Sequence, residues 1–147
     1  MLHDNSDDEL GAETYNFEGV YSADLCALVT ANPNFRSVLF TADHVQLVAM
    51  CVTVDDGGIN RETHEDVAQT FFVVAGVGRL IYNNPQLGPG EVYLNRGTVA
   101  IVPAGTRHRV VNDSQTDALK LFTLYSNPLH AVDLVQPART DPDREYS

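Results

Sequence analysis

Gly97-Thr98-Val99-Ala100-Ile101-Val102-Pro103-Ala104-Gly105-Thr106-Arg107-His108-Arg109-Val110-Val111-Asn112 is the stretch whose reading decides the fold. Two runs rich in β-branched residues, Thr98 to Val102 and Arg107 to Asn112, flank the turn Pro103-Ala104-Gly105. Glycine admits backbone angles that a Cβ forbids, and proline fixes φ, so Gly97, Pro103 and Gly105 predict tight turns that aim His108 inward. At average usage, two glycines and a proline at these spacings arise by chance in roughly one window in four thousand. Arg107 and Arg109 alternate with His108 and are therefore expected to point the other way.

The same texture extends outward to Ser37 on one side and Tyr125 on the other. Further strand-like runs are Ser37 to Thr41, Val45 to Val54, Thr70 to Ala75, Arg79 to Tyr82, Glu91 to Leu94 and Ala118 to Tyr125. Between them lie Asp55-Asp56-Gly57-Gly58, Asn83-Asn84-Pro85, Gly88-Pro89-Gly90, Asn95-Arg96-Gly97 and Asn112-Asp113-Ser114, all with turn chemistry. Many short, evenly spaced strands predict an antiparallel sandwich or barrel. Phe71, Val73, Phe122 and Leu124 are read as its lining, and Tyr82, Tyr93 and Tyr125 as packed strand aromatics. The one helix expected covers residues 22 to 29, capped by Ser22 and ended by Asn32-Pro33-Asn34.

Upstream, Glu62 and His64 are two apart, so on a strand both side chains leave the same face. Gln69 follows His64 by five, an odd offset, so the chain must turn around Glu65 to Ala68. A hairpin there would bring Glu62, His64 and Gln69 together, with Gln69 opening the second strand. His3, His44 and His130 sit in no motif and are expected at the surface.

The interval Gly97 to Asn112 resembles the second motif of the cupin superfamily, G-x5-P-x-G-x2-H-x3-N, at every fixed position. That family's first motif, aligned backward from Gly76, places its two histidines at Glu62 and His64 and its glutamate at Gln69. Two of four ligand types are therefore exchanged, and the leading glycine, Gly57, is one residue too close. Within the superfamily the chain is most similar to small single-domain bacterial cupins with an E-x-H-x4-Q first motif, a group resembling polyketide cyclase-like and sugar isomerase-like members. The resemblance implies an all-β, antiparallel double-stranded β-helix (a jelly-roll cupin barrel) over 37–126, with a short N-terminal helix. Around it are expected an acidic flexible tail over 1–15, a helical or extended arm over 16–36 and an extended C-terminal tail over 127–147. It also implies a homodimer, which open sheet edges favour.

On the same resemblance, Glu62, His64, Gln69 and His108 are the metal ligands, and Glu62 and Gln69 also carry the catalytic roles. Three histidines and a glutamate present one negative charge when the imidazoles are neutral, and this set presents one too. Two imidazoles and two oxygens without a thiolate suit one divalent transition metal: Zn, Fe, Mn, Ni or Co. The function expected is a metal-dependent enzyme acting on a small oxygenated molecule by Lewis-acid isomerisation or ring closure. Two other readings stay open. One is an Fe(II)-dependent dioxygenase, since two histidines with a carboxylate match that ligand class; the other is a non-catalytic barrel that binds or senses a small molecule.

Composition agrees with these readings. The 147 residues suit one domain, and 20 acids against 9 bases give a net charge of −11, which repels nucleic acid. No apolar run approaches the roughly 20 residues of a membrane span, and the acidic start Asp4 to Glu9 is unlike a secretory signal. The expectation is a cytoplasmic protein with Cys26 and Cys51 reduced, a small-molecule substrate, and no nucleic-acid or membrane partner.

Overall fold

The computed structural model describes residues 15–16 and 19–140. The acidic segments expected at the two ends, and His3, lie largely outside the described residues. In chain order the elements are β1 (Tyr15–Asn16), α1 (Leu25–Ala31), β2 (Arg36–Ala42), β3 (Val45–Val52), β4 (Gly58–Glu62), β5 (Gln69–Ala75), β6 (Gly78–Asn84), β7 (Gly88–Leu94), β8 (Val99–Val102), β9 (Arg107–Asn112), β10 (Leu119–Tyr125) and β11 (Val135–Gln136).

Two sheets face one another, as a jelly roll requires. The larger runs β1-β2-β3-β10-β5-β8, with β11 also on β2, and the smaller runs β4-β9-β6-β7. Among the described residues only the β1–β2 pair is parallel. Between the sheets pack Val38, Val48, Met50, Phe71, Val73, Leu80, Leu94, Val110, Leu119 and Leu121. A second cluster, Val29, Leu39, Phe40, Leu47 and Ala49, forms where α1 covers the outer face of the larger sheet. β3 is thereby buried on both faces, which explains its near-continuous apolar run.

Several elements differ from the sequence expectation. Asp24, not Ser22, caps the helix: its carboxylate accepts from the Ala27 amide at 3.1 Å. The helix then runs on to Ala31, and Asn32 leaves it in an extended conformation, as the residue before Pro33 must. The two turns expected at 83–85 and 88–90 are one, because Asn84 Oδ1 accepts from the amides of Gln86 and Leu87 and closes the chain there. Gly88, Pro89 and Gly90 instead start β7, an edge strand where a missing N–H costs no ladder bond.

The largest departure is β4, a strand that begins inside the expected turn. Gly58 belongs to the ladder because a Cβ at that position would lie 2.3 Å from the Val110 carbonyl oxygen. β4 pairs with β9 in the smaller sheet and β5 with β10 and β8 in the larger. Residues 63–68 therefore cross from one sheet to the other, and no hairpin joins Glu62 to Gln69.

β10 is the other correction. Its inward row is Leu119, Leu121, Thr123 and Tyr125, while Phe122 and Leu124 pack outside with the helix-side cluster. Phe71 and Val73 do line the interior.

Beyond Asn127 the chain is extended and fastened to the barrel. Gln46, fully buried in β3, accepts from the Leu129 and His130 amides and donates to the His130 carbonyl. β11 then pairs with Arg36 and Ser37. No helix among the described residues is long and apolar enough to cross a membrane.

Candidate metal centre

His108 lies on β9, three residues after Gly105, whose φ of 84° is a conformation glycine tolerates and other residues resist. The Gly105 amide donates to the His64 carbonyl at 2.7 Å, so the turn before His108 also fixes the loop that carries His64. His108 Nδ1 lies 2.9 Å from the Thr106 carbonyl, which can only accept, and that bond places the proton on Nδ1. Burial pushes the His108 pKa down against the pull of the Thr106 carbonyl and Glu62. A neutral ring protonated at Nδ1 leaves a lone pair on Nε2.

Gln69 Oε1 stands 3.1 Å from that Nε2, while Gln69 Nε2 donates to Thr123 Oγ1 at 2.9 Å. Two acceptor lone pairs therefore face each other in a site where His108 and Gln69 are 4% and 2% exposed. Beside this pair Glu62 Oε1 and His64 Nε2 lie 3.0 Å apart. Glu62 ends β4 in register opposite His108; His64 is past the strand, in the crossing loop. The same-face argument thus does not apply to His64, and the loop delivers it. Burial raises the Glu62 pKa, but the His64 contact, the Arg36 charge and both histidines outweigh it, so the net shift is downward and Glu62 is a carboxylate at neutral pH.

The ligand atoms offered by Glu62, His64 and His108 all lie within 4.8 Å of one another. Two adjacent ligands bound about 2.1 Å from one ion stand roughly 3 Å apart, the spacing of both the Glu62–His64 and the Gln69–His108 pairs. The residues fit a metal: a carboxylate, two imidazoles and an amide oxygen turned toward an unprotonated nitrogen.

Three residues beside this cluster are not placed there by the sequence, which marks Tyr125 as a packed strand aromatic and His130 as a surface residue and gives no signal for Arg36. Tyr125, 2% exposed, sets its ring edge-on to His64 and its hydroxyl 3.3 Å from His130 Nε2. Burial and the nearby Glu62 carboxylate push the tyrosine pKa up. His130 is not a surface residue: it is partly buried, and desolvation followed by the Arg36 charge pulls its pKa down to about 4. Arg36 reaches in from β2, its Nη2 3.8 Å from Glu62 Oε2. Glu62 therefore faces the Arg36 charge, while Arg79 is bound to Asp113 and Glu91. The alternation of β10 carries a signal for Tyr125 and Thr123, since a threonine in an inward apolar row marks a polar site.

His44 bonds Asn127 at the surface, and Arg107 is exposed. Asn112 has a structural task, donating to the Val52 and Asp117 carbonyls.

A family model described as the Cupin domain matches residues 50–125. The uncharacterized protein L612 of Acanthamoeba polyphaga mimivirus is 31% identical over 125 residues, covering 83% of this chain and 76% of L612. The uncharacterized protein YrkC of Bacillus subtilis is 30% identical over 75% of this chain, which spans 59% of YrkC. Among solved structures, BH2720 from Bacillus halodurans superposes with a TM-score of 0.73 at 27% identity, covering 80% of this chain and 88% of that one.

Proposed function

The chain belongs to the cupin domain family, and from that premise we propose that it is a metal-dependent enzyme acting on a small oxygenated molecule by isomerisation or ring closure. The observation that carries the reading is the meeting of Glu62, His64, Gln69 and His108, drawn from both sheets, at ligand-pair spacings of 3.0 and 3.1 Å. One ion of Zn, Fe, Mn, Ni or Co, held by these four, would supply Lewis acidity toward a carbonyl or enolate oxygen.

The chain's own groups supply the rest. Glu62 contributes the single negative charge among the four, and its Oε2, turned from the histidines toward Arg36, is placed to take a proton from bound substrate. Gln69, held by Thr123, keeps Oε1 directed at the His108 side. Tyr125, itself buried, packs its ring edge-on against His64. The opening lies on the Glu62–His64 side, where the side chains are 23% and 18% exposed.

Elemental analysis of protein purified without chelator or added metal tests the proposal. About one equivalent of a divalent transition metal is expected for wild type, falling clearly in Glu62→Gln because the charge of the site is lost. Wild-type protein with no stoichiometric metal sinks the reading. The two-histidine, one-carboxylate set also favours Fe(II)-dependent dioxygenation; substrate-dependent oxygen consumption by the iron-loaded protein separates it from isomerisation.

A further inference from the structure

Arg36 is placed in a way that neither strand pairing nor a ligand role accounts for. Its aliphatic stem leaves β2, its guanidinium sits 5.0 Å over the Phe35 ring, and its side chain, 11% exposed, lies beside Glu62. Nη1 donates to a neutral acceptor, Gln136 Oε1, at 2.8 Å. Nη2 stands 3.8 Å from Glu62 Oε2, too long for a hydrogen bond. Nε is buried and has no partner among the described residues.

The unfilled edge is the informative one. Nε and Nη2 form the side-on fork that receives the two oxygens of a carboxylate in parallel hydrogen bonds. A guanidinium keeps its charge at any pH a protein meets, so a buried Nε–H without an acceptor, with the Glu62 carboxylate no nearer than 3.8 Å to the neighbouring Nη2, is a desolvation cost only partly offset. Glu62 cannot fill it while Oε1 faces His64. Gln136 and Phe35 meanwhile fix the plane of the group from two sides, and Tyr125, which interacts with both Arg36 and Gln69, spans the gap to the buried ligands.

We propose that Arg36 is the anion subsite of this centre, taking the carboxylate of a short oxygenated acid whose second oxygen function is directed at Glu62, His64, Gln69 and His108. The substrate class of the preceding section thereby narrows to small oxo- or hydroxy-carboxylates. The inference rests on that reading for the second oxygen function and on Arg36 alone for the carboxylate.

Calorimetric titration with pyruvate and with its uncharged methyl ester, on protein with and without added metal, separates the two. Pyruvate is expected to bind wild type and to weaken by about 30-fold or more in Arg36→Gln, the size of effect that follows loss of a buried charge partner. Arg36→Lys should recover part of the loss, since it restores charge without the fork. Ester affinity and metal content should be the same in all three proteins. Pyruvate binding that ignores the Arg36→Gln change, or that is no stronger than ester binding in wild type, overturns the proposal. Metal loss in Arg36→Gln also overturns it, because Arg36 would then be a positioning residue for Glu62. A wild type without metal that still binds pyruvate through Arg36 would refute the enzyme reading and leave the anion subsite standing.

Discussion

The buried and open halves of the candidate site hold their groups by different means. Gln69 and His108 are anchored from behind by Thr123 and the Thr106 carbonyl, and both are nearly inaccessible. Glu62 and His64 stand at a strand end and in a crossing loop, part-exposed; the Arg36 charge steadies Glu62 and a backbone bond from Gly105 steadies His64. The buried half is therefore built into the fold, whereas the open half is assembled on top of it and free to answer to whatever binds.

The largest test of that contrast sets His108→Ala against His64→Ala. Both should weaken metal binding by more than about 100-fold, since each removes a ligand and even outer partners are worth 10–100-fold. Their stabilities should part. His108→Ala strips the Thr106 carbonyl of its partner and leaves a cavity in a dry site, and should cost about 1–3 kcal/mol without metal, from unfolding in urea. His64→Ala should cost less than about 1 kcal/mol at its part-exposed loop position. Equal losses in the metal-free proteins would mean that the halves are not differently built.

How far each half could be read from sequence follows the same line. His108 was legible because its placement is local: Gly97, Pro103 and Gly105 set turns whose geometry they dictate, and the histidine follows three residues later. Glu62 was identified as a residue but misplaced in mechanism. β4 has no alternating pattern, and Gly58 reads as a turn residue when in fact close approach to the Val110 carbonyl requires it. A chain that changes sheets between Glu62 and Gln69 leaves no periodic trace of doing so. On β10 the strand was found but its parity was inverted. Lys-Leu-Phe-Thr-Leu-Tyr offers apolar residues on both faces because α1 covers the outer one, so alternation alone could not choose the side. Arg36 has no sequence signal and His130 reads as a surface residue because they lie 26 residues before Glu62 and 66 residues after His64, and only tertiary contacts, β2 with β11 and Gln46 with the His130 backbone, bring them in.

A smaller effect sharpens the buried side. Thr123→Val keeps the shape of the inward row but removes the hydroxyl that accepts from Gln69 Nε2. Metal affinity should fall by about 10-fold, at the lower end of what outer-sphere partners contribute. Stability should fall by about 1–2 kcal/mol. Thr123→Ser, which returns the hydroxyl, should restore affinity more than stability. If valine and serine variants bind metal alike, Gln69 does not depend on Thr123 for its direction.

The smallest effect concerns the C-terminal segment that borders the open half. His130 has a folded pKa of about 4 against an ordinary 6.5. Above pH 6.5 the ring is neutral in folded and unfolded chains and contributes no pH dependence. Between 6.5 and 4 the unfolded chain binds a proton that the folded one refuses, so stability rises with pH across that window and is lost on acidification. His108, also shifted down, acts in the same direction. His130→Gln should therefore flatten the acid-side fall in thermal midpoint without abolishing it, at the expense of a slightly lower midpoint at pH 7.5, where the Tyr125 contact is lost. The measurement is a set of melting curves at pH 4.5, 5.5 and 7.5 for both proteins. His130 acquires its low pKa only if Gln46 holds the segment down beside Tyr125. Identical pH profiles would show that the segment is undocked in solution, and that the open half of the site is wider than its contacts with Tyr125 and Arg36 imply.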